Sequence, residues 1–163
     1  MSALRPCAAT AHTLIGRGYI ASGKRLSVST QQLTSCTPNP RHCGGTGGCS
    51  GATFQLAADY IARAGALTSD DVYPYTSGTT SETGECKYDP LSMPPVLTLK
   101  GYTQLSSNNK TEALAAIAKG PVSISVAASK WFLYGGGVFD GCTTAGDAIS
   151  TFHLCYNTLS LKS

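Results

Sequence analysis

The side chains in this sequence best suited to chemistry are seven cysteines (Cys7, Cys36, Cys43, Cys49, Cys86, Cys142, Cys155) and three histidines (His12, His42, His153). A thiol can attack an electrophile, bridge to a second thiol, or hold a metal. Structural zinc needs close cysteine pairs with matching histidine spacing. No Cys-x-x-Cys pair with such a histidine occurs, so no metal and no cofactor is expected. Seven cysteines are many for a reducing compartment, which favours disulfides. The odd count leaves at least one thiol over, or pairs it outside the chain. Cys7 stands just ahead of an alanine-rich stretch. A thiol at a helix N-terminus is pushed toward thiolate by the helix dipole, the state that attacks carbonyls. The plainer reading of Cys7 is a cysteine near a chain end.

Glycine is the other marked feature. Cys43-Gly44-Gly45-Thr46-Gly47-Gly48-Cys49 is too glycine-rich for regular structure and implies an exposed, irregular backbone. His12 falls within a helical stretch, as an exposed residue. His42 lies beside the glycines, as a solvated turn residue.

These residues need elements to place them. Residues 8–21 read as a helix stopped at Ser22-Gly23. Ser29-Thr30-Gln31-Gln32 follows the capping-box pattern, with Ser29 as N-cap and Gln32 reaching back, for a short helix to about Cys36. Ser50 is the expected cap of a stronger helix. Its Phe54, Ala57, Ala58 and Ile61 share one face, and Gly65 ends it. Residues 68–93 read as a long ordered loop, and Val96 to Tyr102 as a strand. Asn109 should cap another helix, with Glu112 as its partner, and Gly120-Pro121 should stop it. Val122 to Val126 alternates strictly and reads as a strand. Trp131 to Tyr134 reads as an aromatic turn or bend, and Val138-Phe139 begins another strand. Helices first and strands afterwards imply an α+β domain with segregated halves.

Composition bounds the rest. Hydrophobic residues make up 42% and charged residues 13%; the latter is about half the usual share, so a compact domain is favoured over disorder. The net charge of +3 is spread without the basic cluster that nucleic-acid binding needs. No apolar run is long enough to span a bilayer, and the N-terminus lacks the apolar core of a signal peptide.

Several of these segments, taken in order, resemble the papain-like cysteine peptidases, the papain and cathepsin type. They are Val28 to Cys36, Gly47-Gly48, Gly51 to Ile61, Tyr73-Pro74-Tyr75, Cys86, Lys119 to Ser123, and Tyr134 to Phe139. The resemblance runs from about Ala9 to Cys142. It implies a two-lobed fold, a helical half facing a β-barrel-like half, in one domain over residues 1–163. From Thr143 onward the chain departs from the family pattern. Residues 143–163 then form a divergent tail, the domain is truncated at both ends and the β half is incomplete.

The resemblance also implies roles. Cys7 would be the nucleophile and His153 the base, hydrolysing peptide bonds through an acyl-thioenzyme. Gly47 and Gly48 would line the substrate cleft, where an extended peptide adds as if it were a strand. Around Cys7 the family's Gly-Ser-Cys-Trp context is absent. Phe152-His153-Leu154 stands where Asp/Asn-His-Ala is expected, Asn157 reads as a plain loop residue, and no oxyanion-hole Gln precedes Cys7. The alternative is therefore a non-catalytic relative that binds peptides or a protein partner. By family position Cys36 pairs with Cys86, a closure that would contribute roughly 3–4 kcal/mol in the chain-entropy model. Cys43 and Cys49 could pair with each other or with Cys7, and Cys142 with Cys155. Asn109-Lys110-Thr111 is a glycosylation triplet if the chain is secreted. A monomer acting on peptide or protein substrate is expected, in a lysosome-like, vacuolar or extracellular setting.

Overall fold

Leu33, Ile61 and Leu67 have no exposed surface and form the centre of the core, with Ala11, Leu14, Val28 and Ala57 around them. They come from three helices, the connection between the first two, and the segment after the third. In the computed structural model the helices are α1 (Pro6–Ser22), α2 (Thr30–Cys36) and α3 (Phe54–Ala64). The structure describes residues 6–107, 109–124, 134–137 and 158–161, with backbone alone for 6–9 and 158–161. His153, Asn157, Cys142, Cys155, the Trp131–Leu133 segment and the Val138-Phe139 strand lie outside the described residues.

Each helix begins and ends for a local reason. The amide of Gly23 donates to Tyr19 O at 2.8 Å, and Gly23 has φ +68°, the left-handed stop expected after α1. Ser29 caps α2, its hydroxyl accepting from Gln32 N at 3.0 Å. Gln32 does not reach back as a capping box requires. Its amide is drawn into the core, where Oε1 accepts from Thr68 N at 2.9 Å, and Nε2 donates to Tyr60 Oη and Ala66 O, both at 3.1 Å. The Ser29 amide that a capping box would use donates instead to Thr68 O at 2.9 Å, so the Gln32 amide serves the buried Thr68 N and Ala66 O, which would otherwise lack partners.

Helix α3 buries Phe54, Ala57, Ala58 and Ile61, the face read from spacing, and Gly65 ends it with φ +84°. Its cap, however, is Thr53, whose hydroxyl accepts from Leu56 N. Ser50 closes a 3₁₀ turn, Gly48–Ser50, one step earlier. The 68–93 loop holds one short helix, α4 (Ser77–Thr80).

The expected Val96–Tyr102 strand is displaced. Leu97 makes only an isolated antiparallel bridge with Leu67, and the strand β1 is Tyr102–Leu105. Its partner β2, Thr158–Leu161, was not read from the sequence. The two run antiparallel, with Tyr102 opposite Leu161 and Leu105 opposite Thr158. The Thr-Leu-Ser-Leu alternation of β2 was the available signal. Helix α5 (Lys110–Ile117) follows β1, with Asn109 accepting from Glu112 N at 3.1 Å. Glu112 turns instead to Ser106 N, at 2.8 Å. Of the expected Val122–Val126 strand, Val122 to Ile124 are described, and they belong to no named strand.

That segment nevertheless crosses back onto α1. Thr13 and Ser123 share a buried hydroxyl–hydroxyl bond of 2.8 Å. Arg17 Nε donates to Pro121 O at 2.9 Å and its Nη1 to Lys119 O at 3.2 Å. The helical half is therefore well formed. Among the described residues the β half amounts to the β1–β2 pair. No described helix is long and apolar enough to cross a membrane.

Candidate functional site

The glycine-rich segment is organised from outside itself. Asn39, ahead of it, accepts from Cys43 N at 2.8 Å through Oδ1, and its Nδ2 donates to Cys43 O at 3.0 Å and Gly45 O at 2.9 Å. One amide side chain thus replaces the ladder that so much glycine cannot form. The turn then closes on itself. Gly47 N donates to Gly51 O at 2.8 Å, Ser50 N to Gly47 O at 3.0 Å, and Gly51 N to Gly48 O at 3.2 Å.

Gly47 (φ +99°) and Gly48 (φ +52°) both occupy the left-handed region, which an ordinary residue adopts only under strain. Gly48 carries a second constraint. A Cβ there would overlap the side chain of Thr83, and Gly48 is buried, whereas Gly47 is half-buried. An incoming peptide would therefore meet Gly47 first. The carbonyls of Gly47 and Gly48 each accept one bond within the turn, and a carbonyl oxygen has a second lone pair. The segment is thus suited to receive N–H groups from an extended chain.

Thr83 belongs to the loop that the Cys36–Cys86 disulfide closes, with Cα atoms 4.7 Å apart. That bridge is the expected one. Cys43 is also disulfide-bonded, while Cys49 carries a thiol, so Cys43 and Cys49 do not pair with each other. Gln31 ties the same loop to α2. Its Oε1 accepts from Thr76 N and Ser77 N, both at 2.9 Å, and its Nε2 donates to Ser77 Oγ at 2.8 Å and Thr83 O at 3.1 Å. Sequence reading missed Asn39, Gln31 and Thr83 as supports of the glycine pair. Asn39 could have been suspected as a turn-forming residue beside a glycine run; Thr83 carries no local signal.

Cys7 lies in the first turn of α1, which is 17 residues long. Pro6 occupies the first helical position, where its missing N–H costs nothing. His12 and His42 are exposed, as expected. Two tyrosines are displaced from the ordinary phenol range. Burial raises the Tyr60 hydroxyl, opposed by the bond from Gln32. Burial raises that of Tyr102 too, and the Asp59 carboxylate adds to the shift. Asp89 is lowered by donation from the Ser92 hydroxyl and the Leu91 amide. Tyr60 ties α3 to α2 through Gln32, and Asp89 ties its own turn through Ser92. Among the described residues no three His, Cys, Asp or Glu side chains gather as a metal cluster would.

Comparison with known proteins covers nearly the same ground. Residues 7–156 match the family model described as papain family cysteine protease. Cysteine proteinase 6 of Dictyostelium discoideum is 31% identical over 129 residues, covering 77% of this chain and 27% of that protein. Mouse (Mus musculus) cathepsin S is 33% identical over 137 residues, covering 82% of this chain and 38% of the other. Among solved structures, the Carica candamarcensis cysteine protease CMS1MS2, in complex with E-64, superposes with a TM-score of 0.65 at 29% identity. That match covers 85% of this chain and 61% of the other. The chain spans roughly a quarter to two fifths of the length of these two curated relatives.

Proposed function

Because this chain belongs to the papain family of cysteine proteases, we propose that it is a cysteine-type peptidase hydrolysing peptide bonds through a thiolate at Cys7 and an imidazole at His153. The observation that carries the reading is the place of Cys7. It lies in the first turn of a long helix, inside the stretch that matches the family. The unpaired amides and dipole of a helix N-terminus favour a thiolate over a thiol.

In the proposed reaction Cys7 Sγ attacks the scissile carbonyl carbon. The thiol proton passes to His153, which returns it to the leaving amine. The acyl-thioenzyme is then hydrolysed by water, restoring the thiol. Gly47 and Gly48 hold the substrate backbone as an added strand. No cofactor enters the scheme. The enzyme acts as a monomer on peptide or protein, not on nucleic acid, a reading supported by the low, dispersed charge. The disulfide at Cys36 and Cys86 supports an oxidising setting, either extracellular or lysosome-like or vacuolar.

Alkylation by iodoacetamide tests the nucleophile. An ordinary thiol, with a pKa of about 8.5, is less than ~1% ionised at pH 6, whereas a helix-terminal thiolate of this kind titrates at roughly 3.5–7.5. Folded, oxidised protein should take label at Cys7 at pH 6, and Cys7→Ser should abolish both labelling and cleavage of casein. Cys43 is bridged to none of Cys36, Cys49 and Cys86, so the same label decides between a Cys7 thiolate and the alternative Cys7–Cys43 pairing: absence of label at Cys7 in folded protein removes it as the nucleophile.

A further inference from the structure

Starting from the peptide-holding role just given to Gly47 and Gly48, we infer that Thr83 is a positioning residue that sets the backbone of Gly47–Cys49 and so tunes how tightly this segment holds a peptide. Thr83 touches the segment twice, in different ways. Its side chain fills the space where any Cβ of Gly48 would lie, which fixes how near the glycine approaches. Its hydroxyl accepts from Cys49 N at 3.0 Å, which fixes direction. The van der Waals contact alone would allow the segment to slide, and the hydrogen bond alone would allow it to tilt. Together they leave one placement.

Thr83 is itself held from behind. Its carbonyl accepts from Ser35 Oγ at 2.6 Å and from Gln31 Nε2 at 3.1 Å, and the Cys36–Cys86 bridge anchors the chain three residues further on. Helix α2 therefore supports Thr83, and Thr83 supports the glycine pair. Backbone hydrogen bonds span only about 2.7–3.2 Å. A peptide docking on Gly47 and Gly48 is therefore sensitive to small displacements of that backbone. Because Thr83 acts through the segment, its effect falls on peptide affinity.

The test compares Thr83→Val, which keeps the shape but loses the acceptor, with Thr83→Ser, which keeps the acceptor. Thr83→Ala serves where the valine variant does not fold. Two readouts are taken on the full chain: hydrogen exchange at the Cys49 amide, and affinity for reduced, carboxymethylated α-lactalbumin as a permanently unfolded polypeptide. In Thr83→Val the Cys49 amide should exchange about tenfold faster, the equivalent of one lost hydrogen bond. Polypeptide affinity should fall severalfold, exchange in α2 should be unchanged, and Thr83→Ser should restore both readouts. Unchanged Cys49 exchange overturns the inference, as does unchanged affinity once that protection is lost. If the wild-type chain binds no unfolded polypeptide, the peptide-holding role of the glycines is what fails. The Cys49 exchange rate then decides by itself whether Thr83 sets the segment.

Discussion

At the scale of single residues, two neighbouring glutamines do most of the tying. Gln31 and Gln32 are both buried, and each has its amide oxygen and nitrogen satisfied by groups far along the chain. A sequence reading sees a capping pattern here, and Ser29 does cap α2. The amide of Gln32 instead joins α2 to Tyr60 on α3 and to the Ala66–Thr68 backbone. Gln32→Leu would keep the bulk and orphan a buried amide of Thr68 and a buried carbonyl of Ala66. Each orphaned group costs about 1–3 kcal/mol, and leucine recovers part of that by burying apolar area. The expected net loss is about 2–3 kcal/mol in urea unfolding. A loss under about 0.5 kcal/mol, the usual size of a surface change, would mean that water or a rearranged backbone satisfies both groups.

At the scale of elements, helix faces were legible and helix boundaries were less so. The apolar spacing of Phe54, Ala57, Ala58 and Ile61 depends only on residues within two turns, and all four are buried. The start of α3 was misplaced by three residues. Ser50 has the chemistry of a cap, but the tight glycine turn before it commits Gly48–Ser50 to a 3₁₀ helix. The strands fared worse for a different reason. β1 is defined by pairing with Thr158–Leu161, and a local window over Val96–Tyr102 cannot register a partner so distant. The same holds for the glycine segment. Its position was readable from composition, whereas Thr83 reaches it across 34 positions. The cap assignment is directly testable. Thr53→Ala should cost about 1 kcal/mol, the usual value of a lost N-cap. Ser50→Ala, at an exposed position, should stay within about 0.5 kcal/mol. Equal losses in urea denaturation would return the cap to Ser50.

At the scale of the whole molecule, the long loop after α3 lacks much regular structure and is held down by a few ties. Cys36 and Cys86 close 50 residues. Around the bridge, Tyr73 Oη donates to Glu85 O and accepts from Lys87 N, both at 3.1 Å, and Gln31 fixes Thr76, Ser77 and Thr83. The disulfide acts chiefly on the unfolded chain, by restricting it, and the hydrogen bonds act on the folded one. Removing the bridge with the double variant Cys36→Ala and Cys86→Ala should therefore lower stability by about 3–4 kcal/mol. For a chain of this length that is a fall in Tm of roughly 10 °C. The loop should nonetheless keep its native course, because the ties from Gln31 and Tyr73 remain. The check is calorimetry paired with hydrogen exchange at Ser77 and Lys87. A large fall in Tm with those two amides still protected confirms the division of labour. Loss of their protection would mean that the disulfide, and not the polar ties, holds the loop against the glycine segment, so that a reducing setting would disturb the backbone proposed to hold a peptide as well as the stability of the fold.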